Sequence, residues 1–294
     1  LVTFLALLLL CACAKEESVE TTNAGETTEA STEETAPVTV TEKITLEDLK
    51  EYVIVRPSDT SEDIVTGGIQ LRKELIAAFD AELTLKEDLF SETVQSLKIR
   101  ECEILLGNCN RDETRQFMTG MKYNDYGYAM VGKKLVICGG SDEATLRALD
   151  AFLANVVKNQ KGDVFFDGAD ILMVRGSYDI DTLTVQGNDL SQYVIVYPNR
   201  NDSAKMLAHT VRDRIAEVSG IILNVCADKE NVSEKEILIG TTNRTDCKYT
   251  AQALNEGTYL IGADDRFICA RGADGMGDYY AAYALIAALL ENAQ

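Results

Sequence analysis

Along most of this chain, short aliphatic runs bounded by charge, glycine or proline alternate with longer stretches whose apolar residues recur every three or four positions. The first pattern predicts strands and the second amphipathic helices. In the second half, residues 192–197 form a β-rich run ended by Pro198, which cannot donate to a sheet ladder. Asp202 or Ser203 then caps a helix that reaches Val218 and is closed by Gly220. Residues 222–226 and 236–239 read as strands, with Gly240 opening a turn, and 250–254 as a helical turn. A hairpin follows, 258–261 and 266–270 around Gly262-Ala263-Asp264-Asp265, and a final helix over 277–290. The first half predicts a helix over 68–79, strands over 82–85 and 103–106, a hairpin over 128–138 around Gly132-Lys133-Lys134, and a helix over 143–157.

The two halves carry the same pattern because they carry the same phrases. Tyr52-Val-Ile-Val-Arg-Pro57 returns as Tyr193-Val-Ile-Val-Tyr-Pro198, and Glu103-Ile-Leu-Leu-Gly-Asn108 as Glu236-Ile-Leu-Ile-Gly-Thr241. Tyr128 through Cys138 returns as Tyr259 through Cys269, and 44–49 has a counterpart in 183–190. The order is kept while loop lengths drift. The predicted fold class is therefore α+β: two tandem copies of a small layered domain, each a mixed or antiparallel sheet with two helices on one face. The boundaries are 44–162 for the first copy, 163–182 for a connecting segment and 183–294 for the second copy.

Ahead of these lies a different kind of chain. Leu1 to Leu10 is almost wholly apolar yet too short to span a bilayer, as in the core of a signal peptide. With Leu10-Cys11-Ala12-Cys13 it resembles the bacterial lipobox, and Cys13, preceded by the small Ala12, matches the lipidated cysteine better than Cys11 after Leu10. That resemblance implies a signal peptide over 1–13 and a lipid anchor on Cys13. Residues 14–43 follow as an acidic Thr/Ser/Glu tether, with Glu16, Glu17, Glu20, Glu26, Glu29, Glu33 and Glu34 and no cation between 16 and 37. Such a segment cannot bury enough apolar surface to offset chain entropy and is expected to be disordered.

Composition narrows the partners. A formal charge of −20 argues against nucleic acid and against direct adsorption to anionic lipid, since both need clustered Lys and Arg. The membrane partner is expected through the lipid anchor alone. Of the eight cysteines, Cys138 and Cys269 sit at matching places in strand-like runs and are expected to be buried thiols. Cys102, Cys109, Cys226 and Cys247 have no counterparts, so no shared disulfide is implied. With one His and no CxxC, neither a metal site nor a cofactor is expected.

Several residues invite chemistry, each with a plainer reading beside it. Asp264, Asp265 and Asp274 offer carboxylates for acid–base work or calcium, or else a hairpin tip and a helix cap. His209 lies on a predicted helix with no nucleophile motif around it. Gly272-Ala-Asp-Gly275-Met-Gly277 before a helix suggests a phosphate loop, but lacks the Lys-Ser/Thr of a P-loop; a close approach of hairpin and helix accounts for it better. Tyr279, Tyr280 and Tyr283 could stack on sugar rings, although a core or interdomain contact is favoured. Asn201-Asp-Ser, Asn231-Val-Ser and Asn243-Arg-Thr match glycosylation sequons, which carry little meaning behind a bacterial lipobox.

The Tyr-Val-Ile-Val-Tyr-Pro strand, the Glu-Ile-Leu-Ile-Gly strand, the Tyr259-Leu-Ile-Gly262 hairpin and the Gly272–Tyr283 helix entry together resemble one known module. It is the small α+β domain that precedes the catalytic barrel in family 20 β-N-acetylhexosaminidases and in α-glucuronidases. The resemblance runs from about Asp48 to Leu290 and is stronger in the second copy; the first has Gly139-Gly140-Ser141-Asp142 at the helix entry. It implies that chemistry belongs to a following barrel, so no catalytic residue is assigned. The resulting expectation is a membrane-anchored extracytoplasmic lipoprotein whose non-catalytic domains bind or present glycan or an envelope partner, at loops or at a groove between the copies. The alternative is the accessory front of a glycoside hydrolase whose barrel lies past Gln294.

Overall fold

The computed structural model describes residues 43–159, 162–250 and 252–290. Cys13, the leader over 1–13 and the tether over 14–43, Lys43 apart, lie outside the described residues. The rest forms two compact units, the first ending at Ser177 and the second beginning at Tyr178. Both are α+β.

In the first unit the elements are β1 (Ile44–Thr45), α1 (Leu46–Leu49), β2 (Val53–Arg56), α2 (Glu62–Phe79), β3 (Thr84–Glu87), β4 (Glu103–Leu106), α3 (Asp112–Phe117), β5 (Tyr126–Val131), β6 (Lys134–Gly139), α4 (Asp142–Phe152), β7 (Val164–Phe166) and β8 (Leu172–Val174). The main sheet runs β3-β2-β4-β6-β5-β8. Its β2–β3, β2–β4 and β4–β6 pairs are parallel, and β5 lies antiparallel between β6 and β8. Strand alternation divides the core. Ile54, Ile104, Leu106 and Ile137 join Leu71 and Leu75 of α2 and Leu149 and Phe152 of α4, whereas Val53, Val55, Leu105 and Val136 join Phe117 of α3. Both faces are covered, which is why these strands read as unbroken apolar runs.

Three features depart from the sequence reading. Helix α2 begins at Glu62 under a Ser61 cap, earlier than the expected Gly68. Gly68 lies inside it, and with Gly67 it thins the helix, since a Cβ on Gly67 would stand 3.0 Å from Leu146 Cδ2 and one on Gly68 3.3 Å from Leu85 Cδ1. Helix α3 was not foreseen. Residues 163–182, expected only to connect, instead supply β7, which pairs with β1, and β8, which pairs with β5. Phe165 and Phe166 bury fully there, and the buried Asp125 accepts from Gly176 N at 2.8 Å and Arg175 at 2.7 Å, so the segment up to Ser177 completes the first unit, while Ile180 packs in the core of the second.

The second unit comprises β9 (Thr184–Val185), β10 (Asn188–Asp189), β11 (Val194–Tyr197), α5 (Asp202–Ser219), β12 (Val225–Ala227), β13 (Glu236–Ile239), β14 (Tyr259–Ala263), β15 (Phe267–Gly272) and α6 (Gly275–Leu290). Its sheet runs β12-β11-β13-β15-β14, parallel except for β14–β15. The order matches β3-β2-β4-β6-β5. Helix α5 starts at the Asn201 cap and ends at Gly220, whose φ of 71° is the left-handed cap that glycine supplies without strain. Helices α5 and α6 cover one face, burying Leu207, Val211, Ile215, Leu285 and Leu289 against Ile195, Ile237 and Ile239. Val196, Leu238, Phe267 and Cys269 point to the other, where the loop after β13 covers them with Cys247 and Tyr249. The turn expected to be helical at 250–254 belongs to that loop; Arg271 holds it by donating to the carbonyls of Tyr249 and Gln252.

Candidate functional site

Among the long helices of the described residues α6 is the most apolar, and that is unusual because only one face of it is buried. Ala281, Ala282, Leu285, Ile286 and Leu289 pack inward. On the opposite face Met276, Tyr279, Tyr280 and Tyr283 are 63, 43, 54 and 45% exposed. An apolar helix face open to water marks an interaction surface more often than an ordinary exterior.

Its position is set by the glycine-rich entry. A Cβ on Gly272 would lie 2.1 Å from Gly277 C, so the end of β15 and the start of α6 approach closer than any side chain allows. Asp274 accepts from Gly277 N at 2.8 Å and caps the helix. Asp278 accepts from Gly272 N at 2.7 Å across the approach; burial pushes its carboxyl above the ordinary range, and that hydrogen bond offsets the effect only in part. Thus anchored, Tyr279 stacks at 4.6 Å and 37° on Tyr283 and meets Tyr280 edge-on at 5.7 Å. A hydrogen bond with Tyr283 pushes the Tyr279 hydroxyl up. The cluster thus presents ring faces beside phenol hydroxyls, the combination that packs on the C–H face of a sugar while bonding its hydroxyls.

The tyrosines expected in a core or interdomain contact are therefore exposed: an i, i+4 spacing shows that Tyr279 and Tyr283 share a face, not which face is buried. The other candidates resolve towards their plainer readings. Asp264 closes the β14–β15 hairpin by accepting from Arg266 N at 3.1 Å and Phe267 N at 2.9 Å, with Asp265 in the same tip. His209 sits half-buried on α5, where burial and then Arg212 hold its pKa down. Among the described residues no cluster of metal-ligating side chains is present. The six described cysteines are free, Cys138 and Cys269 buried among them, and burial pushes the Cys138 thiol up to about 12. The fold nevertheless seats unmatched cysteines beside matched ones, Cys109 in the cluster of Cys138 and Cys247 in that of Cys269. Contact with Cys269 holds Cys247 down at about 7.

One constellation escaped the sequence reading. Glu103, at the head of β4, receives a fork from Arg111 at 2.9 and 3.2 Å, while Arg111 also donates to Asp88 O. The Asp88 carboxylate accepts from Ser58 N and Asn110 N. In the second unit Glu236 receives Arg244 at 2.8 and 3.1 Å, Arg244 donates to Asp228 O, and Asp228 accepts from Asn199 N and Asn243 N. The visible signal was Glu-Ile-Leu-x-Gly-x-x-Asn-Arg, whose last two residues lie just past the repeat that was recognised.

No protein-family model matches the chain, and no curated protein does. Its solved structural neighbours are weak and are glycoside hydrolases. The GH20 β-N-acetylhexosaminidase of Streptomyces coelicolor aligns at a TM-score of 0.29 and 10% identity, covering 65% of this chain and 31% of the enzyme. A GH138 enzyme targeting pectin rhamnogalacturonan II aligns at 0.27 and 11%, covering 64% and 18%. CpGH84D aligns at 0.29 and 11%, covering 82% and 39%. The chain thus spans well under two thirds of these proteins.

Proposed function

We propose that this chain is a membrane-anchored extracytoplasmic lipoprotein of a bacterial cell envelope. In this reading lipid on Cys13 holds it, the tether over 14–43 spaces it from the bilayer, and its second unit binds glycan without transforming it. The observation that carries the binding is the exposed Tyr279–Tyr280–Tyr283 face of α6, fixed in place by the Gly272–Gly277 approach. We further read the two units as tandem copies of one module, the kind that precedes the barrel in family 20 hexosaminidases. The common strand order and the repeated Glu–Arg–Asp constellation support this.

The test is a glycan array probed with the purified protein and with Tyr279→Ala and Tyr283→Ala. Each substitution should weaken binding about five- to tenfold, on the order of 1–1.5 kcal/mol for one stacked ring. Because both rings are exposed, the melting temperature should hold. A protein that retains no glycan sinks the reading.

The same face supports a second reading. An apolar flank on α6 is the surface that a further domain would cover, as in the accessory front of a carbohydrate-active enzyme. Sequencing past the codon for Gln294 separates the two: a long open frame with a (β/α)-barrel pattern favours the enzyme, an immediate stop the lipoprotein.

A further inference from the structure

The first unit holds a cavity of about 510 Å³ beside its edge strand β3. An insertion builds it. Fourteen residues, 89–102, separate Asp88 from Glu103, where seven, 229–235, separate the corresponding Asp228 from Glu236. The insertion folds back on itself, Ser91 N donating to Leu97 O at 3.1 Å and Leu97 N to Val94 O at 2.9 Å. Lys86 of β3 reaches across to Ser96 O at 3.5 Å.

Two properties of the lining identify what it would hold. The lining is aliphatic: Leu89 and Leu97 from the insertion, with Leu85 from β3 and Val65 and Ile69 from α2 on one side of the sheet edge and Val53 and Val55 on the other. Leu89, Leu97 and Ile69 are 53, 37 and 57% exposed, an arrangement that leaves apolar surface in water unless a ligand covers it. Among the described residues no aromatic ring lines the cavity, and Ser96 is the only neutral polar side chain in the lining, so a sugar would find neither a stacking platform nor a hydrogen-bonding network there. The second property is charge. Arg56 is paired with Glu87 at 2.9 Å and Arg111 with Glu103 at 2.9 Å. The remaining lining cations, Lys86, Lys98 and Arg100, form no ion pair among the described residues. Three uncompensated cations around one cavity stand out in a chain of net charge −20.

We propose that this cavity binds an amphipathic anion, an unbranched aliphatic chain ending in a carboxylate or phosphate head. The aliphatic chain lies along Leu85, Leu89, Leu97 and Ile69, and the head meets Lys98 and Arg100, with Lys86 within the same lining. The volume falls in the range of pockets that enclose small ligands. This site is in the first unit and does not depend on glycan binding by the second.

Isothermal titration of the full chain carrying Cys13→Ser, which removes the need for detergent, tests the proposal. The probes are decanoate, decyl phosphate and 1-decanol. Decanoate or decyl phosphate should bind saturably at one site, the tighter of the two identifying the head, and 1-decanol at least about tenfold more weakly. Lys98→Gln with Arg100→Gln should weaken the anion about tenfold, bringing it close to decanol, and Leu97→Asp should abolish binding. All three replaced residues are exposed, so circular dichroism should be unchanged. Tyr279→Ala should leave binding intact. No saturable binding of either anion, equal binding of decanol, or binding indifferent to Leu97→Asp would each overturn the proposal.

Discussion

At the scale of single residues, the described part of the molecule commits most to two buried arginine–glutamate pairs, the first of them joined by Lys134 at 3.2 Å from Glu103. Glu103 and Arg111 are 2 and 4% exposed, and Glu236 and Arg244 are 0 and 4%. A carboxylate so placed is tolerated because the guanidinium meets both its oxygens and a backbone N–H, Arg100 N or Ser233 N, adds a further donor. For Glu103, burial pushes the pKa up, yet Arg111 and then Lys134 outweigh it and hold the carboxyl below its usual range. The aspartate beside each pair uses both oxygens on backbone N–H groups, tying the chain after β2 or β11 to the turn that carries the arginine. Arg244→Met should therefore cost about 3–5 kcal/mol in urea unfolding, because Glu236 is left buried and uncompensated. Adding Glu236→Leu should recover most of that loss, an apolar pair being an adequate substitute. If the double variant is no better than the single, the pair does more than satisfy its own charges. The constellation was hidden in the sequence because its partners lie eight positions apart, a spacing that neither helix nor strand periodicity brings to notice.

At the scale of elements, glycine decides how closely helix and hairpin approach. Gly139 in the first unit would place a Cβ 2.4 Å from Ala144 C, at the entry to α4, as Gly272 would against Gly277 at the entry to α6. Gly272→Ala must push β15 and α6 apart and should lower stability by about 2–3 kcal/mol, read as a fall in melting temperature. Gly275→Ala is the control: nothing lies within 4 Å of its added Cβ, so it should be neutral or slightly stabilising. Equal losses in both would mean that helix entry tolerates no side chain anywhere and that the close approach is not the cause. The reading of Gly272–Gly277 as a packing device was available from the sequence, because the loop lacks phosphate-binding chemistry. The expected helix start at Gly68 failed for a related reason: glycine inside a helix marks a crowded neighbour as readily as an end.

At the scale of the whole molecule, the charge of −20 bears on solubility rather than on fold, and the proposed lipid anchor has its own test. Replacing Cys13 with Ser should move the protein from the membrane to the soluble fraction with its circular dichroism spectrum unchanged. Retention of Cys13→Ser in the membrane would end the lipoprotein reading. Among the described residues no helix is long and apolar enough to cross a bilayer.

The sequence by itself determined the α+β class, the hairpins around Gly132 and Asp264, and the strands from Glu103 and Glu236. These are local matters of period and turn chemistry, and they are written twice. Only the tertiary structure decided the rest. It showed that residues 164–166 pair with β1 in a small sheet of their own and that 172–174 join the main sheet beside β5, because such pairing is a contact between residues far apart in sequence. It also turned the tyrosines of α6 outward and lined a cavity with Lys98 and Arg100, because the face a side chain occupies depends on what packs opposite it, which periodicity does not record.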